Sequence, residues 1–322
     1  MIKKPLVSIC SITYNQASYI RQCLDGFLMQ KTNFAFEIVI NDDCSTDGTT
    51  EIIREYEAKY PEIIKPIYHD ENLYSKGIRG MFVNFCLPKA QGKYIAMCEG
   101  DDYWIDPLKL QKQIDFLEEN PIYTMCCSDA IIQTKEGTLD WSRYPHHQDV
   151  VIEDIIINGG WFLPTASLVY RKDLLNNYPS YCKNCHVGDY PLMLWASLNG
   201  KIRWFAEKQV VYRYSMGNSW TSRIKKENIT NIIHGWRSEI DMLSGLDSYS
   251  NGKYSQTFDK RKIIFIHRLI INNPQNYNEL SNAFHDVKKL YHRKELIEDY
   301  LVKIHLYNIY RKIRQTIKVR FR

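Results

Sequence analysis

The chain has 322 residues, of which 44% are apolar and 25% are charged, so it has the composition of a folded globular protein. Its length is enough for one large core, or for one core with a smaller appended bundle. No apolar run approaches the length that spans a bilayer, which excludes a membrane-embedded class. The short apolar run after Lys4 is predicted to be a first strand rather than a signal peptide.

Nine cysteines are spread along the chain, and most of them lie inside apolar segments. An odd number without a framework pattern is typical of free thiols in a reducing compartment. We therefore expect a cytoplasmic protein.

The net charge of +5 arises from the C-terminal tail, residues 300–322, which contains seven basic side chains and no acidic one. The rest of the chain has 35 basic and 37 acidic side chains. Leu306, Ile309, Ile313 and Ile317 recur at helical spacing, which predicts a basic amphipathic helix. Such a helix either packs on the body or lies on an anionic surface, here the inner face of the plasma membrane. Because the body has no basic patch, nucleic acid is not an expected partner.

Predicted strands and helices alternate up to about residue 135. The strands cover 7–12, 36–40, 63–68, 93–98 and 123–128, and the helices between them cover about 17–29, 49–60, 80–90 and 107–119. This alternation predicts an α/β fold with a doubly wound, mostly parallel sheet of the Rossmann-like type. Ligands of such sheets bind at the carboxyl ends of the strands.

The pattern after residue 135 is less regular. Strands are predicted at 166–170, 202–205 and 209–214, and a helix at about 190–198 that Asn199 and Gly200 end. From about residue 223 onward the pattern is helical throughout. The sequence therefore predicts a C-terminal helical extension after the sheet.

Polar side chains follow three of the predicted strands at the point where each strand ends. They are Thr13, Tyr14 and Asn15 after the first strand, Asp42 and Asp43 after the second, and Glu99, Asp101 and Asp102 after the strand at 93–98. Because these ends meet at one edge of a parallel sheet, the acids are expected to converge and to need a cation. Mg²⁺ or Mn²⁺, with a diphosphate completing its ligands, fits such a cluster. The alternatives are a helix cap and turn at 42–47 and a plain loop at 99–102.

Four motifs in register carry a resemblance to a known family. They are Val7-Ser-Ile with Thr13-Tyr-Asn15, Asp42-Asp-Cys-Ser-Thr-Asp-Gly48, Gly92-Lys-Tyr-Ile, and Glu99-Gly-Asp-Asp-Tyr-Trp-Ile-Asp-Pro107. Over about residues 5–220 the chain resembles glycosyltransferase family 2, which has the GT-A fold. The resemblance implies a GT-A domain over 1–222, with a nucleotide half at about 1–135 and an acceptor half at about 136–222. The helical region at 223–322 would follow it.

The resemblance implies inverting transfer of a sugar from a nucleoside-diphosphate sugar, with a UDP-sugar favoured, to an acceptor hydroxyl. The acceptor would be a glycan or a lipid-linked glycan in the assembly of bacterial cell-surface polysaccharide. Mn²⁺ or Mg²⁺ would be the cofactor. We favour Asp102 as the metal ligand and Asp101 as its partner at the ribose and diphosphate. Glu99 stands where the family usually has aspartate.

The remaining roles also follow from the resemblance. Thr13, Tyr14, Asn15 and Asp43 would hold the nucleoside, and Asp42 suits a hydrogen bond to the base or ribose.

Asp189, at the start of a predicted apolar helix, matches the family's catalytic aspartate. It would accept the proton of the attacking hydroxyl. The alternative for Asp189 is a plain helix cap.

Further candidates lie in three loops. Lys76 and Arg79 could reach the diphosphate, or could lie in a solvated loop. Arg213 belongs to a segment that resembles a late family motif closing over the diphosphate, although Ser215 replaces its usual histidine. Trp161 and Thr165 lie where family members line the acceptor site.

Three other classes of protein are alternatives for this sequence. A sugar-nucleotide-forming nucleotidyltransferase would need a glycine-rich, arginine-containing phosphate loop after the first strand. A dehydrogenase would need Gly-x-Gly-x-x-Gly at the same place. Thr13-Tyr-Asn-Gln16 is neither. A catalytically degenerate binding protein with the GT-A fold is the remaining alternative, which Asp101, Asp102 and Asp189 disfavour.

Overall fold

The structure is a computed structural model that describes residues 4–214, 228–303 and 307. By its backbone packing the chain divides into two compact units, Met1–Lys226 and Glu227–Arg322. The first unit contains the sheet, and the second is helical. Most of the basic tail predicted at 300–322 lies outside the described residues.

A ten-stranded sheet forms the centre of the first unit. Its strands are β1 Val7–Thr13, β2 Phe36–Asp42, β3 Ile64–Tyr68, β4 Tyr94–Met97, β5 Tyr103–Trp104, β6 Tyr123–Gln133, β7 Thr138–Asp140, β8 Gln148–Asp149, β9 Val169–Arg171 and β10 Lys201–Arg213. Their order across the sheet is β3-β2-β1-β4-β9-β6-β10-β5, with β7 beside β6 and β8 beside β10.

The parallel part of the sheet carries the strand ends at which the acids were predicted. β1 pairs in parallel with β2 and β4, and β2 pairs in parallel with β3. β1 is buried along nearly its whole length, as expected of a strand covered on both faces. β9 is antiparallel to both β4 and β6, whereas β10 is parallel to β6. The α/β prediction is confirmed, and the sheet becomes mixed beyond β4.

The described part of the first unit contains seven α-helices. They are α1 Ile20–Leu28, α2 Thr49–Lys59, α3 Leu87–Lys89, α4 Lys109–Glu119, α5 Ile152–Asn158, α6 Ser180–Lys183 and α7 Asp189–Asn199. α1 is amphipathic and buries Ile20, Leu24 and Phe27 on one face. In contrast, α7 is buried at every position from Tyr190 to Ala196, so its first residue is held rigidly.

The second unit is a helical bundle, as predicted. Its helices are α8 Ile229–Tyr249, α9 Ser255–Asn272, α10 Tyr277–Ala283, α11 His285–Lys288 and α12 Arg293–Lys303. Ile266, Ile270, Leu280 and Phe284 lie in its buried core. Among the described residues of both units, no helix has the length and apolarity needed to span a bilayer.

Four predicted elements differ from the structure. The strands predicted at 202–205 and 209–214 are one strand, β10, because a bulge between Phe205 and Val210 breaks the alternation that marks a strand. The strand predicted at 166–170 begins as a 3₁₀ turn, Thr165–Ser167, before β9. The helix predicted at about 80–90 is a π-helical turn, Phe82–Cys86, followed by α3.

Candidate active site

The acidic loop, residues 99–102, follows β4 and packs against the end of β1. The Gly100 N–H donates to the Ile12 carbonyl at 3.0 Å. A Cβ at position 100 would lie 2.5 Å from Oε1 of Gln16 and 2.9 Å from the Thr13 side chain. Glycine is therefore required here, and its small size brings the acids to the edge where β1 ends.

Asp101 and Asp102 have different surroundings. Asp102 is 1% exposed, and its Oδ1 accepts from the Arg213 N–H at 2.8 Å, whereas its buried Oδ2 has no hydrogen-bond partner among the residues that the structure describes. Burial, together with the charges of Asp101 and Glu99, raises the pKa of Asp102 well above its usual range. Asp101 remains partly exposed. Of the two residues, Asp101 is the more exposed.

Glu99 lies among other acids. Burial, followed by the charges of Asp101 and Asp189, raises the pKa of Glu99 to about 8. Glu99 and Thr165 also line one small cavity of about 20 Å³. Acids from two distant segments therefore share one site, and a proton or a divalent cation would relieve their repulsion.

Asp189, the predicted base, is the first residue of α7. Its Oδ2 accepts from the Thr165 hydroxyl at 3.1 Å, and its Oδ1 accepts from the Tyr190 N–H at 2.7 Å. A Cβ on Gly160 would lie 3.2 Å from both carboxylate oxygens, so the backbone at Gly160 packs directly on this carboxylate. Burial raises the pKa of Asp189, which makes it a better proton acceptor than a solvated aspartate.

The two loops predicted to hold the nucleoside bind each other. Asn15 has a left-handed φ of 53°, its N–H donates to Ser45 Oγ at 2.9 Å, and its Oδ1 accepts from the Thr46 N–H at 2.8 Å. Buried Asp42 accepts hydrogen bonds from the hydroxyls of Ser45 and Thr50. The carboxylate of Asp42 thus stabilises the turn at 42–47. This is the alternative to a ligand-binding role for Asp42.

Asp43 fixes the next loop. Its two carboxylate oxygens accept from the N–H groups of Leu73 at 2.8 Å and Tyr74 at 3.0 Å. Thr13 and Tyr14 lie on the same edge of the sheet, Thr13 buried and Tyr14 partly exposed. The predicted nucleoside residues are therefore brought together, with the Asp43 carboxylate occupied by the loop at 73–74.

Lys76 and Arg79 lie in the loop that Asp43 fixes. Lys76 pairs with Glu71 at the surface. Arg79 donates to the Tyr74 carbonyl at 2.8 Å, and its guanidinium carbon lies 4.1 Å from the centre of the Tyr74 ring. Both basic side chains are held by their own loop and do not meet the acidic loop.

Arg213 contacts two residues of the acidic loop, Asp101 and Asp102. Its guanidinium lies over the rings of Tyr19 and Tyr103, at 4.9 and 4.5 Å, and donates to the Asp101 carbonyl and to Gln22. The whole residue is 5% exposed. This arginine is a structural clamp in the structure, rather than a side chain extended toward a ligand.

An aromatic cluster lies beside Asp189. Of its members, only Trp161 is predicted from the sequence to belong to the site. Trp161 stacks on Trp141, with ring centroids 5.5 Å apart and an interplanar angle of 10°. Tyr212 and Tyr214 meet Trp161 edge-on at 5.5 and 5.3 Å. The spacing of Tyr212 and Tyr214 along one face of a strand is the sequence signal that could have revealed them.

Comparison with known proteins identifies the family. A family model described as glycosyl transferase family 2 matches residues 8–178. An uncharacterised protein of Mycobacterium tuberculosis is 38% identical over 221 residues, which cover 67% of this chain and 61% of that protein. The chain thus spans about three fifths of the length of this relative.

A second relative has a described activity. It is the UDP-Glc:alpha-D-GlcNAc-diphosphoundecaprenol beta-1,3-glucosyltransferase WfaP of Escherichia coli, 37% identical over 118 residues that cover 37% of this chain and 43% of that protein. Among solved structures, S. aureus TarS in complex with UDP-GlcNAc matches over 97% of this chain and 91% of that chain. The TM-score is 0.66 at 19% identity, which establishes the shared GT-A-like fold. Because the family model covers more than half of the sequence, this chain belongs to glycosyl transferase family 2.

Proposed function

We propose that the protein is a metal-dependent, inverting glycosyltransferase that moves a sugar from a UDP-sugar to a hydroxyl group of a glycan or lipid-linked glycan acceptor. The observation that carries the proposal is the position of Asp189, buried against Gly160 and close enough to Glu99 to raise its pKa. A proton acceptor and an acidic loop thus share one site. Support comes from the family membership and from the activity named for WfaP. We also propose a role in cell-surface polysaccharide assembly, which the lipid-linked acceptor in the name of WfaP supports.

In the proposed reaction, Asp189 accepts the proton of the acceptor hydroxyl as the oxygen attacks the anomeric carbon. The attack comes from the face opposite the nucleoside diphosphate, so the bond to the leaving oxygen breaks as the new glycosidic bond forms, with inversion. The Thr165 hydroxyl, 3.1 Å from Oδ2, keeps the carboxylate oriented. The raised pKa of Asp189 favours proton transfer.

Mn²⁺ or Mg²⁺ fits the acidic loop. Such cations are usually held by one or two carboxylates and by substrate phosphates. No complete set of three protein ligands is present among the described residues. We assign Asp101 as the ligand because it is the more exposed of the two residues, and we give buried Asp102 the supporting role, which reverses the order favoured from the sequence. When bound, the cation would neutralise charge on the leaving diphosphate.

The donor would bind to the half at about 1–135 and the acceptor to the half at about 136–222. Thr13, Tyr14 and Asn15 form the edge on which we propose that the nucleoside lies, and Asp43 supports it by ordering the loop at 73–74. Lys76 and Arg79 are proposed to approach the diphosphate from that loop.

Calorimetry with UDP in Mn²⁺ and in EDTA tests the proposal. We expect Mn²⁺ to tighten UDP binding, and Asp101→Asn to abolish that gain. Asp115→Asn, a change in an acid of α4 that bonds Gln111, should leave it unchanged. Equal UDP affinity in Mn²⁺ and EDTA would contradict the metal role. UDP binding without transfer or hydrolysis of any UDP-sugar would indicate the catalytically degenerate alternative.

The basic tail is proposed to bind an anionic membrane surface from the cytoplasmic side. The support is its seven basic side chains with no acidic one, each of which contributes about 1 kcal/mol near such a surface. Co-sedimentation with anionic vesicles at low salt should be lost when the chain ends near residue 298. Unchanged co-sedimentation would contradict the proposal.

A further inference from the structure

A groove runs from Trp161 along the hairpin of β6 and β7. Its apolar floor is formed by Trp161, Leu139 and Tyr214, which are 39%, 62% and 37% exposed, and its rim by the turn at 134–136. The volume is about 580 Å³, within the usual range for small-ligand sites. We call this the aromatic groove.

The floor of the aromatic groove is rigid before any ligand binds. Trp161 stacks on Trp141, whose indole N–H donates to the Phe162 carbonyl at 3.0 Å. The Arg143 guanidinium donates to the Trp161 carbonyl at 2.9 Å. A platform fixed on both sides loses little entropy when a ligand packs on it.

The aromatic groove adjoins the candidate active site through the backbone at residues 160 and 161. Gly160, the residue before Trp161, packs against the Asp189 carboxylate. Because consecutive Cα atoms are about 3.8 Å apart, the Cα of Trp161 lies within about 9 Å of that carboxylate. This separation corresponds to the length of one or two sugar units.

The chemistry of the groove suits a carbohydrate. The flat aromatic floor matches the apolar face of a pyranose ring, and Tyr and Trp each combine an apolar body with a polar group. The rim supplies an ammonium from Lys135 and a carboxylate from Glu136, which can bond to sugar hydroxyls, whereas the Thr134 hydroxyl donates to the Gly137 carbonyl of its own turn. A lipid chain offers no hydrogen-bonding group to this rim.

We propose that the aromatic groove is a subsite for a second sugar ring of the acceptor. This inference rests on the proposed function, because it takes the hydroxyl deprotonated by Asp189 to belong to the neighbouring ring. It makes the acceptor a glycan of at least two sugars, held by stacking on Trp161. The groove thereby favours an acceptor of two sugars over a single sugar, because the second ring adds the contact with Trp161.

Saturation-transfer NMR on the full chain tests the subsite, with methyl β-D-glucopyranoside and methyl β-cellobioside as probes. We expect the disaccharide to bind more tightly than the monosaccharide. Trp161→Ala should weaken disaccharide binding about tenfold. Leu139→Asp, a change in an exposed hairpin residue that leaves the aromatic stack intact, should also weaken it. Tyr300→Ala removes a 60% exposed aromatic side chain of α12 and should have no effect.

Thermal stabilisation by UDP with Mn²⁺, measured on the same samples, separates the two proposals. Absence of UDP stabilisation in the unmodified protein would contradict the proposed function. With UDP stabilisation intact, absence of disaccharide binding, or equal binding in Trp161→Ala and Leu139→Asp, would overturn the subsite. Disaccharide binding that both variants weaken supports it.

Discussion

The backbone N–H of Arg213 donates a hydrogen bond to Oδ1 of Asp102 at 2.8 Å and so ties the end of β10 to the acidic loop. The same residue reaches the Asp101 carbonyl and, through Gln22, also α1. The position of the Asp101 carboxylate is therefore set by a residue from the far end of the sheet domain.

Replacing this clamp should loosen the acidic loop. We expect Arg213→Met to lower the free energy of unfolding by about 2–4 kcal/mol, because it leaves buried hydrogen-bond partners without a donor. Arg213→Lys should restore little, since lysine lacks the planar fork that lies over two rings and donates to two acceptors. Urea unfolding and the Mn²⁺-dependent gain in UDP affinity measure the two effects.

The control for Arg213 is Arg21→Met. Arg21 pairs with Glu55 at 2.6 Å, but both side chains are at least half exposed, so its loss should leave the free energy of unfolding nearly unchanged. Similar losses from both substitutions would contradict the role given to Arg213.

A methyl group at position 160 should disturb the proposed base without unfolding the protein. Gly160→Ala would put its Cβ 3.2 Å from both oxygens of Asp189 and force the carboxylate to move. Transfer should fall by about tenfold to a hundredfold, because small misplacements of catalytic groups are costly. The matched control is Gly188→Ala, whose Cβ would meet no atom within 4 Å. Equal rates for the two variants would refute the contact with Gly160.

Asp189→Asn should abolish measurable transfer while UDP affinity stays within about twofold of the unmodified protein. Asparagine keeps the shape and the bond to Thr165 but cannot accept the proton. Asp173→Asn, a change in an exposed acid in the first turn of the 3₁₀ helix Lys172–Leu175, should leave transfer unchanged. Initial rates with a UDP-sugar donor provide the comparison. Near-normal turnover in Asp189→Asn would mean that another group is the base.

Buried Lys109 should make stability depend on pH. Burial lowers the pKa of Lys109 to about 7, from 10.5 in the unfolded chain, and its ammonium contacts Gln113 and the Trp104 ring. Between these values the unfolded state binds more protons, so stability rises with pH from about 7 to about 10.5. Relative to Lys109→Met, the unmodified protein should gain about 2–4 kcal/mol across that window.

The control for this titration lies on the same helix. Lys112 pairs with Asp106 at 2.8 Å and is partly solvated, so Lys112→Met should alter stability by less than about 1 kcal/mol at every pH. Urea unfolding at pH 6, 7, 8, 9 and 10 measures all three proteins. A parallel profile for the unmodified protein and Lys109→Met would rule out a buried, shifted lysine.

The sequence predicts those parts of the site that depend on local pattern. Strand ends and the start of α7 follow from hydrophobic periodicity, so the edge bearing Asn15 and Asp101 and the helix bearing Asp189 could be anticipated. The difference between Asp101 and Asp102 could not, because it depends on a hydrogen bond from Arg213, distant in the sequence. Likewise, no local pattern indicates that Asp43 holds the backbone of Leu73.

The site depends on the number of residues in the bulge of β10, as well as on which residues they are. From the Phe205–Ser128 pair to the Val210–Ala130 pair, β10 advances five residues while β6 advances two. The difference between these two numbers is odd. The side chains of β10 after the bulge therefore point to the face opposite to the one that uninterrupted alternation would give them. A variant of this chain that lacked one residue between 206 and 209 would place Tyr212 on the face of the sheet where Arg213 now lies. Arg213 would move to the face where Tyr212 now lies. Such a deletion would remove both the contact of Arg213 with the acidic loop and the contact of Tyr212 with Trp161, although both residues would still be present in the sequence.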